Sequence, residues 1–239
     1  MTKIACVFVV TLGIGLAVSA QKETKPWAQW TQKDVQRVLN DSAWAQTQVE
    51  TEKASGSTSA VTSNAEPMNR DASKPVQGSV TGYVKYFIRL LSARPIRQAV
   101  VRKLQLERTS TDPRINEQLK TFAESSSSDF IVVSVTAEAS DKKIGGTAIQ
   151  AFNAANLESL KAVTYLERKD GQRLELSDLR PPANDGLGTK FVFPRMLNKQ
   201  PFINDSTGEV RFYCQLSKTI KLTARFKVSE MVYDGKLEY

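Results

Sequence analysis

Two segments near the end of the chain, residues 210–216 and 220–228, alternate strictly between apolar and polar side chains. Successive side chains of a strand point to opposite sides, so this alternation gives each strand one dry face and one wet face. Cys214 falls on the apolar side together with Phe212, and its thiol is therefore predicted to be buried. The pattern predicts two antiparallel strands in a sheet that packs on one side only.

Other segments predict further strands and two helices. The additional strands are expected over residues 83–91, 130–135 and 190–195. Helices are predicted near 95–107 and 113–124. No strand–helix alternation runs through the chain, so the sequence predicts a mainly β fold with two helices (α+β). We expect an antiparallel β-sandwich-like domain over residues 80–239, with a helix-on-sheet α+β domain as the alternative.

A β-hairpin is predicted around Asp170 and Gly171, a pair typical of two-residue turns. Apolar segments on both sides, over 160–168 and 173–177, supply its strands. Pairing across a two-residue turn places on one face the side chains of Val163, Tyr165, Leu174 and Leu176.

The first twenty residues have the pattern of a secretory signal peptide. Lys3 supplies the charge, a short apolar run follows, and small residues at 18–20 form an Ala-x-Ala-like junction. We expect cleavage after Ala20 and export to the periplasm or the extracellular medium; an uncleaved anchor is the alternative, although the run is short for a membrane span. Cleavage would remove Cys6 and leave Cys214 alone, which excludes an intrachain disulfide in the mature chain.

Residues 21–50 are predicted to form a tryptophan-rich helical arm, with a helix over about 31–39. Thr31 is a favourable N-cap, and Asp34 stands where the acid of a capping box belongs. Residues 51–79 contain no aromatic side chain and are rich in small polar ones, so a flexible, disordered linker is predicted. The candidate docking residues of the arm are Trp27, Trp30, Val35, Val38, Leu39 and Trp44.

A helix as short as the one in this arm is not stable alone in water and needs a surface to lie on. Two alternatives are open for that surface. The arm docks back on its own domain, or it docks on a partner protein or a membrane interface. The polar face of the helix carries few basic side chains, which weakens the membrane version.

The chain contains no histidine, which excludes Ser-His-Asp and Cys-His catalysis and histidine-containing zinc sites. Ser140 and Lys143 have the S-x-x-K spacing, but this polar stretch lies beside a Gly-Gly pair and is predicted to be a turn. Carboxylates in predicted loops that could serve a hydrolase are Asp178, Asp185 and Asp205, and no spacing marks a pair. No catalytic, cofactor-binding or metal-binding residue is assigned.

The chain is basic, with a net charge of +8. Positive charge on an exported protein favours anionic polymers of the envelope or lipid headgroups, or serves solubility alone. Nucleic acid is not expected as a partner, because the basic helix near 95–107 lacks interleaved aromatic side chains and the chain is predicted to be exported.

Several stretches resemble uncharacterised secreted proteins of bacteria. Residues 25–31 read KPWAQWT, residues 38–45 read VLNDSAWA, and residues 92–99 read SARPIRQA. The tail over 231–239, MVYDGKLEY, is similar to the end of the same proteins. The resemblance implies a secreted bacterial protein, and it supplies neither an activity nor site residues.

These observations favour a non-enzymatic exported protein that binds a protein or polymer of the bacterial envelope, with the arm as a second contact. Two alternatives stay open. One is a hydrolase that uses carboxylates or a Ser/Lys pair. The other is a carrier of small apolar ligands with a cavity between its sheets. The oligomeric state does not follow from the sequence.

Overall fold

The computed structural model describes residues 25–53, 81–107, 112–125, 129–183 and 185–239. The predicted signal peptide, residues 1–20, and all but the first three residues of the predicted linker lie outside the described residues. None of the helices in the described ranges combines the length and the apolar character that crossing a bilayer requires.

The helices are α1 (Gln32–Asn40), α2 (Arg94–Glu107), α3 (Pro113–Glu124), α4 (Lys142–Ala154) and α5 (Leu157–Lys161), with 3-10 turns at Trp27–Gln29 and Val228–Glu230. The first strands are β1 (Ala45–Lys53), β2 (Thr81–Leu90), β3 (Phe130–Ala139), β4 (Thr164–Arg168), β5 (Arg173–Glu175) and β6 (Asp178–Arg180). They are followed by β7 (Thr189–Pro194), β8 (Met196–Leu197), β9 (Gln200–Pro201), β10 (Glu209–Gln215), β11 (Lys221–Lys227), β12 (Val232–Tyr233) and β13 (Lys236–Leu237).

The strands form two larger antiparallel sheets and two short hairpins. The five-stranded sheet has the order β1-β2-β3-β7-β6, and the four-stranded sheet has the order β11-β10-β4-β5. Strands β12 and β13 pair with each other, as do β8 and β9. The prediction of a mainly antiparallel β fold with helices is confirmed, and α1 is the helix predicted for the arm. Two helices was an undercount for the main domain, because α4 and α5 stand beside the two predicted there.

Helix α4 occupies the stretch that the sequence suggested was a turn. The carboxylate of Asp141 accepts the backbone N–H of Ile144 at 3.0 Å and so caps the helix start. Ala148 and Phe152 lie one helical turn apart and are both buried, and the Phe152 ring lies 6.3 Å from that of Tyr86. The turn prediction was wrong because this packing outweighs the poor helix propensity of the two glycines.

Strand β1 makes the tryptophan-rich arm continuous with the sheet. It pairs with β2 along its whole length, from Ala45 opposite Arg89 to Lys53 opposite Thr81. Residues 51–53, placed in the linker from the sequence, therefore belong to this strand. The strand escaped prediction because its side chains are mostly polar, so the stretch lacks the apolar alternation that reveals a half-buried strand.

Side chains on the edge strand β1 join the two sheets. The Gln48 amide donates to the carbonyl of Lys221 at 2.7 Å and accepts the N–H of Thr223 at 2.9 Å. Gln46 makes the same pair of contacts with the backbone of Arg225. The two glutamines thus satisfy backbone groups on the edge strand β11, which would otherwise be open to another chain.

The two sheets also meet through aromatic rings in the core. The Phe212 ring on β10 lies 5.4 Å from that of Phe191 and 6.3 Å from that of Phe193, both on β7. All three side chains are fully buried. We call the side of the five-stranded sheet that carries Phe191 and Phe193 its inner face. The opposite side, which carries Phe87 and Arg89 of β2, is its outer face.

Strands β10 and β11 confirm the alternation seen in the sequence. Strands β10 and β11 bury the predicted apolar side chains and leave the intervening ones partly or fully exposed. Cys214 is buried with them, as predicted.

The hairpin of β4 and β5 forms where predicted but in a different register. Leu166 pairs with Leu174, and Tyr165 pairs with Glu175. The backbone N–H of Arg168 donates to the carbonyl of Gln172, so the loop between them has three residues, 169–171. Gly171 adopts φ +84° in this loop. A one-residue change in loop length moves alternate side chains to the other face. Leu166, and not Tyr165, is therefore the buried residue.

Candidate functional site

A cleft of about 590 Å³ opens between helices α1 and α2 and the outer face of the five-stranded sheet. The loop at residues 185–187 closes one side of it. The fold creates this space because α1 lies over the outer face, while the four-stranded sheet packs on the inner face. A cavity of this size lies within the range of small-molecule sites, which is roughly 300–1,000 Å³.

The floor of the cleft comes from neighbouring strands in register. Arg89 of β2 stands opposite Ser134 of β3, and Phe87 stands opposite Thr136. These four side chains lie on the same face, since alternate positions of paired strands point the same way. All four line the cleft.

Arg89 contributes a positive charge to this floor, and its guanidinium donates hydrogen bonds to three neutral acceptors. Its Nε–H donates to the carbonyl of Leu39 at 2.6 Å, its Nη1 to the hydroxyl of Thr136 at 2.9 Å, and its Nη2 to the amide oxygen of Asn40 at 3.3 Å. The guanidinium also lies 5.0 Å from the ring centre of Phe87. Burial lowers the pKa of Arg89 to about 10, because the charged form loses hydration.

No carboxylate of the described residues lies within ion-pair distance of the Arg89 guanidinium. Within the described part of the chain, its positive charge is therefore stabilised by neutral dipoles and by the aromatic ring.

The lining of the cleft is mixed, with polar and apolar surface in about equal measure. Its apolar part includes Val35 and Leu39 of α1 and Val100 and Leu104 of α2. Leu106, which is 44% exposed, stands at the rim.

Acidic side chains around the cleft face water and have cationic neighbours. Glu107 lies 3.9 Å from Lys103, and its side chain is 53% exposed. Asp185 lies 2.7 Å from Lys190. Burial works against ionisation of Asp185, but hydrogen bonds from Lys190 and from the N–H of Leu187 outweigh it and lower its pKa. Glu138 is exposed and stands opposite Lys85 in the sheet.

The structure places the six candidate docking residues of the arm against the protein itself. Trp30, Val35, Leu39 and Trp44 are buried in the core, while Trp27 and Val38 are partly buried against it. The Trp27 indole donates to Glu124 of α3 at 2.9 Å, and the carbonyl of Trp30 accepts from Arg102 of α2 at 2.9 Å. The first of the two alternatives, an arm docked on its own domain, is the arrangement observed.

Two of these six residues, Val35 and Leu39, also line the cleft. Sequence reasoning therefore found part of one wall, as an apolar helix face in need of a surface. It missed Arg89, Phe87 and Thr136. The sequence signal that could have pointed to the site was Arg89 itself, a single arginine within the mostly apolar strand predicted over residues 83–91.

The residues considered for a hydrolase are spread over the molecule. Ser140 accepts the N–H of Tyr83 at 3.0 Å and fixes the start of α4 to β2. The carboxylate of Asp178 pairs with Arg180 at 3.2 Å, and Asp205 lies in a turn organised by the side chain of Asn204. Of the three aspartates considered for a hydrolase, Asp185 is the one that lines the cleft.

The described residues contain no group of three or more His, Cys, Asp or Glu side chains placed to hold a metal ion. Comparison of the chain with protein-family models, with curated proteins and with solved structures gives no match.

Proposed function

We propose that this chain is an exported, non-enzymatic binding protein that holds a small ligand in the cleft between α1, α2 and the outer face of the five-stranded sheet. The observation that carries the proposal is the cleft itself, a space of about 590 Å³ that combines apolar side chains of two helices with a half-buried arginine on its floor. Small-molecule sites join apolar side chains with a few fixed polar groups that orient the ligand.

The arrangement of the arm favours a small ligand over a macromolecular partner. Trp30 and Trp44, the large side chains that could anchor a protein interface, are already buried in the core. The arm then serves binding through Val35 and Leu39, as a wall of the cleft. A protein or polymer of the envelope stays the alternative partner, favoured by the net charge of +8.

Export and the finer architecture are part of the same proposal. The pattern of residues 1–20 and the resemblance to secreted bacterial proteins support export. We infer a sandwich-like arrangement of the two sheets, supported by the contacts of Phe212 with Phe191 and Phe193. The cleft lies outside this pair of sheets, and not between them as expected for an apolar carrier.

The proposal is tested by thermal unfolding of the protein with a panel of fatty acids, alkyl alcohols, alkyl amines and small aromatic compounds. A ligand that binds the folded state raises the midpoint in a concentration-dependent way. Leu104→Trp fills the cleft, and Ile149→Trp adds the same ring at a site on α4 that is 58% exposed. We expect at least one class to stabilise the wild type and Ile149→Trp but not Leu104→Trp. A flat response over the panel, or an equal response in Leu104→Trp, would contradict the proposal.

A further inference from the structure

Among the described residues, Arg89 has no carboxylate within ion-pair distance, unlike Arg168, which pairs with Asp170 at 2.7 Å, and Arg94, which pairs with Glu238 at 3.3 Å. Arg97 and Arg102 are likewise held by neutral groups of the described residues, but these two arginines do not line the cleft. Arg89 has neutral partners only among the described residues, although it lies in the floor of a concave site. A charge withdrawn from water is costly unless an opposite charge compensates it, so this position favours an anion.

The guanidinium retains donors for such an anion. Arginine has five N–H groups, and the three described contacts use one on each nitrogen. One N–H on Nη1 and one on Nη2 therefore have no described partner. Two donors on one planar group match two oxygens of a carboxylate or phosphate, the strongest kind of charge-assisted pair.

The other charges at the cleft do not cancel this attraction. Glu107 and Asp185 each have a lysine partner, and their side chains are 53% and 38% exposed, so water screens them at the rim. Glu138 also lines the cleft; it is exposed and stands opposite Lys85. Arg89 is held at the floor by contacts from α1 and β3, and is less hydrated there. A negative group that enters the cleft therefore meets its least screened opposite charge at Arg89.

Both helices contribute apolar side chains to the cleft. Val35 and Leu39 of α1 line it but are almost fully buried, whereas Val100, Leu104 and Leu106 of α2 are partly or largely exposed. A bare inorganic anion would leave this surface unused, since each apolar contact is made only by a ligand with a hydrocarbon portion.

We propose that the cleft binds an amphipathic anion, with its carboxylate or phosphate head on Arg89 and its hydrocarbon chain between α1 and α2. This inference rests on the proposed function and adds the chemical class of the ligand. A free fatty acid and a lipid phosphate present the same chemistry to the site, a negative head with at least two oxygens on an apolar chain.

The test is isothermal titration calorimetry of the protein with decanoate, decyl phosphate, decanol and decyltrimethylammonium. All four share a ten-carbon chain and differ in head group. We expect decanoate, decyl phosphate or both to bind about ten- to hundredfold more tightly than decanol and decyltrimethylammonium. Tighter binding of decanoate identifies a fatty acid, and tighter binding of decyl phosphate a lipid phosphate. Equal affinity for all four would overturn the anion inference and leave the proposed function standing, whereas no binding by any probe would count against both.

Variants test the role of Arg89 separately. Arg89→Gln removes the charge, and Arg89→Lys keeps it but loses the two-donor geometry. Arg114→Gln is the matched control, since it removes one positive charge from a side chain that is 90% exposed. We expect a ten- to hundredfold loss of decanoate affinity in Arg89→Gln, a smaller loss in Arg89→Lys and none in Arg114→Gln. Circular dichroism checks that each variant is folded. If a variant does not fold, the comparison of the four ligands on the wild type tests the inference instead. An unchanged affinity in folded Arg89→Gln would overturn the inference.

Discussion

Trp44 donates its indole N–H to the main-chain carbonyl of Glu238 at 2.7 Å, across 194 positions of sequence. Its ring also meets the ring of Tyr233 edge-on, with centroids 6.1 Å apart. Both contacts join the tryptophan-rich arm to the hairpin of β12 and β13 near residue 239. The arm and the last hairpin therefore stabilise each other within one core.

Replacement of Trp44 should reveal this coupling. Trp44→Phe keeps a large ring but removes the donor to Glu238, and we expect a loss of about 1 kcal/mol in the free energy of unfolding. Trp44→Ala should cost about 3–5 kcal/mol because it also leaves a cavity. Urea unfolding measures both. Val49→Thr, at a position in β1 that is 54% exposed, is the control and should change stability by less than about 0.5 kcal/mol. A Trp44→Ala variant as stable as this control would show that the arm does not belong to the core.

The capping box of α1 makes a prediction about pH. The backbone N–H and then the hydroxyl of Thr31 bond the carboxylate of Asp34 and lower its pKa to about 2. A pKa depressed in the folded state means that the contribution of this carboxylate to stability is present above its ordinary pKa of 3.8 and is lost as the pH falls through about 2. An NMR titration of the Asp34 carboxyl carbon measures this directly.

Two variants of the cap provide the comparison. Thr31→Ala removes the hydroxyl and should raise the pKa of Asp34 and lower the thermal midpoint by a few degrees. Thr31→Ser retains the hydroxyl and should keep the depressed pKa. An Asp34 that titrates in the ordinary range in the wild type would show that the box does not form in solution.

Cys214 is predicted to be chemically inert in the folded protein. Burial raises the pKa of its thiol to about 12, against a smaller opposing effect of the nearby Thr164 hydroxyl. The reactive thiolate is therefore almost absent at neutral pH. In a Cys6→Ser chain, where Cys214 is the remaining cysteine, Ellman's reagent should react only on addition of denaturant. Rapid labelling of the native protein would contradict the inward position of this side chain.

Two glycines with open space around them should respond oppositely to alanine. Gly171 has φ +84° in the β4–β5 loop, which an L side chain rarely adopts, so Gly171→Ala should destabilise by about 1 kcal/mol. Gly146 lies within α4, and the space that the methyl group of an alanine would occupy there is open, so Gly146→Ala should stabilise by about 0.5–1 kcal/mol. Thermal unfolding of the pair checks both the loop type and the helix, and a stabilising Gly171→Ala would contradict the three-residue loop.

The elements found from the sequence are those whose signals are local. Apolar alternation over 210–216 and 220–228 directly encodes one buried face, and it predicted β10 and β11 closely. The start of α1 follows from the contact of Thr31 with Asp34, three positions away. Helix α3 likewise begins at the Pro113 that follows its Asp112 cap.

The elements that were missed depend on distant residues. Strand β1 is mostly polar, and its edge contacts are made by Gln46 and Gln48 with β11, far along the chain. Helix α4 forms in spite of its glycines, because Phe152 packs near Tyr86. These long-range contacts produce no recognisable pattern in the neighbouring sequence, so they could not be predicted from it.

The candidate site includes residues that the local sequence predicted and residues that it did not. Val35 and Leu39 were identified as an apolar helix face, but what they face could not be read locally. Arg89 joins them because β2 presents alternate side chains beneath α1, which requires the full sheet and the position of the helix over it. A site that combines an N-terminal helix with the middle of a sheet can therefore be recognised only from the three-dimensional structure.

The most direct test of a ligand cleft under α1 and α2 is an NMR titration of the ¹⁵N-labelled protein with decanoate. We predict amide shift changes concentrated at residues 35–40, 87–89, 100–106 and 134–136, which surround the cleft. Changes concentrated instead around Phe191 and Phe212 would place the ligand between the two sheets and contradict a binding site under α1 and α2.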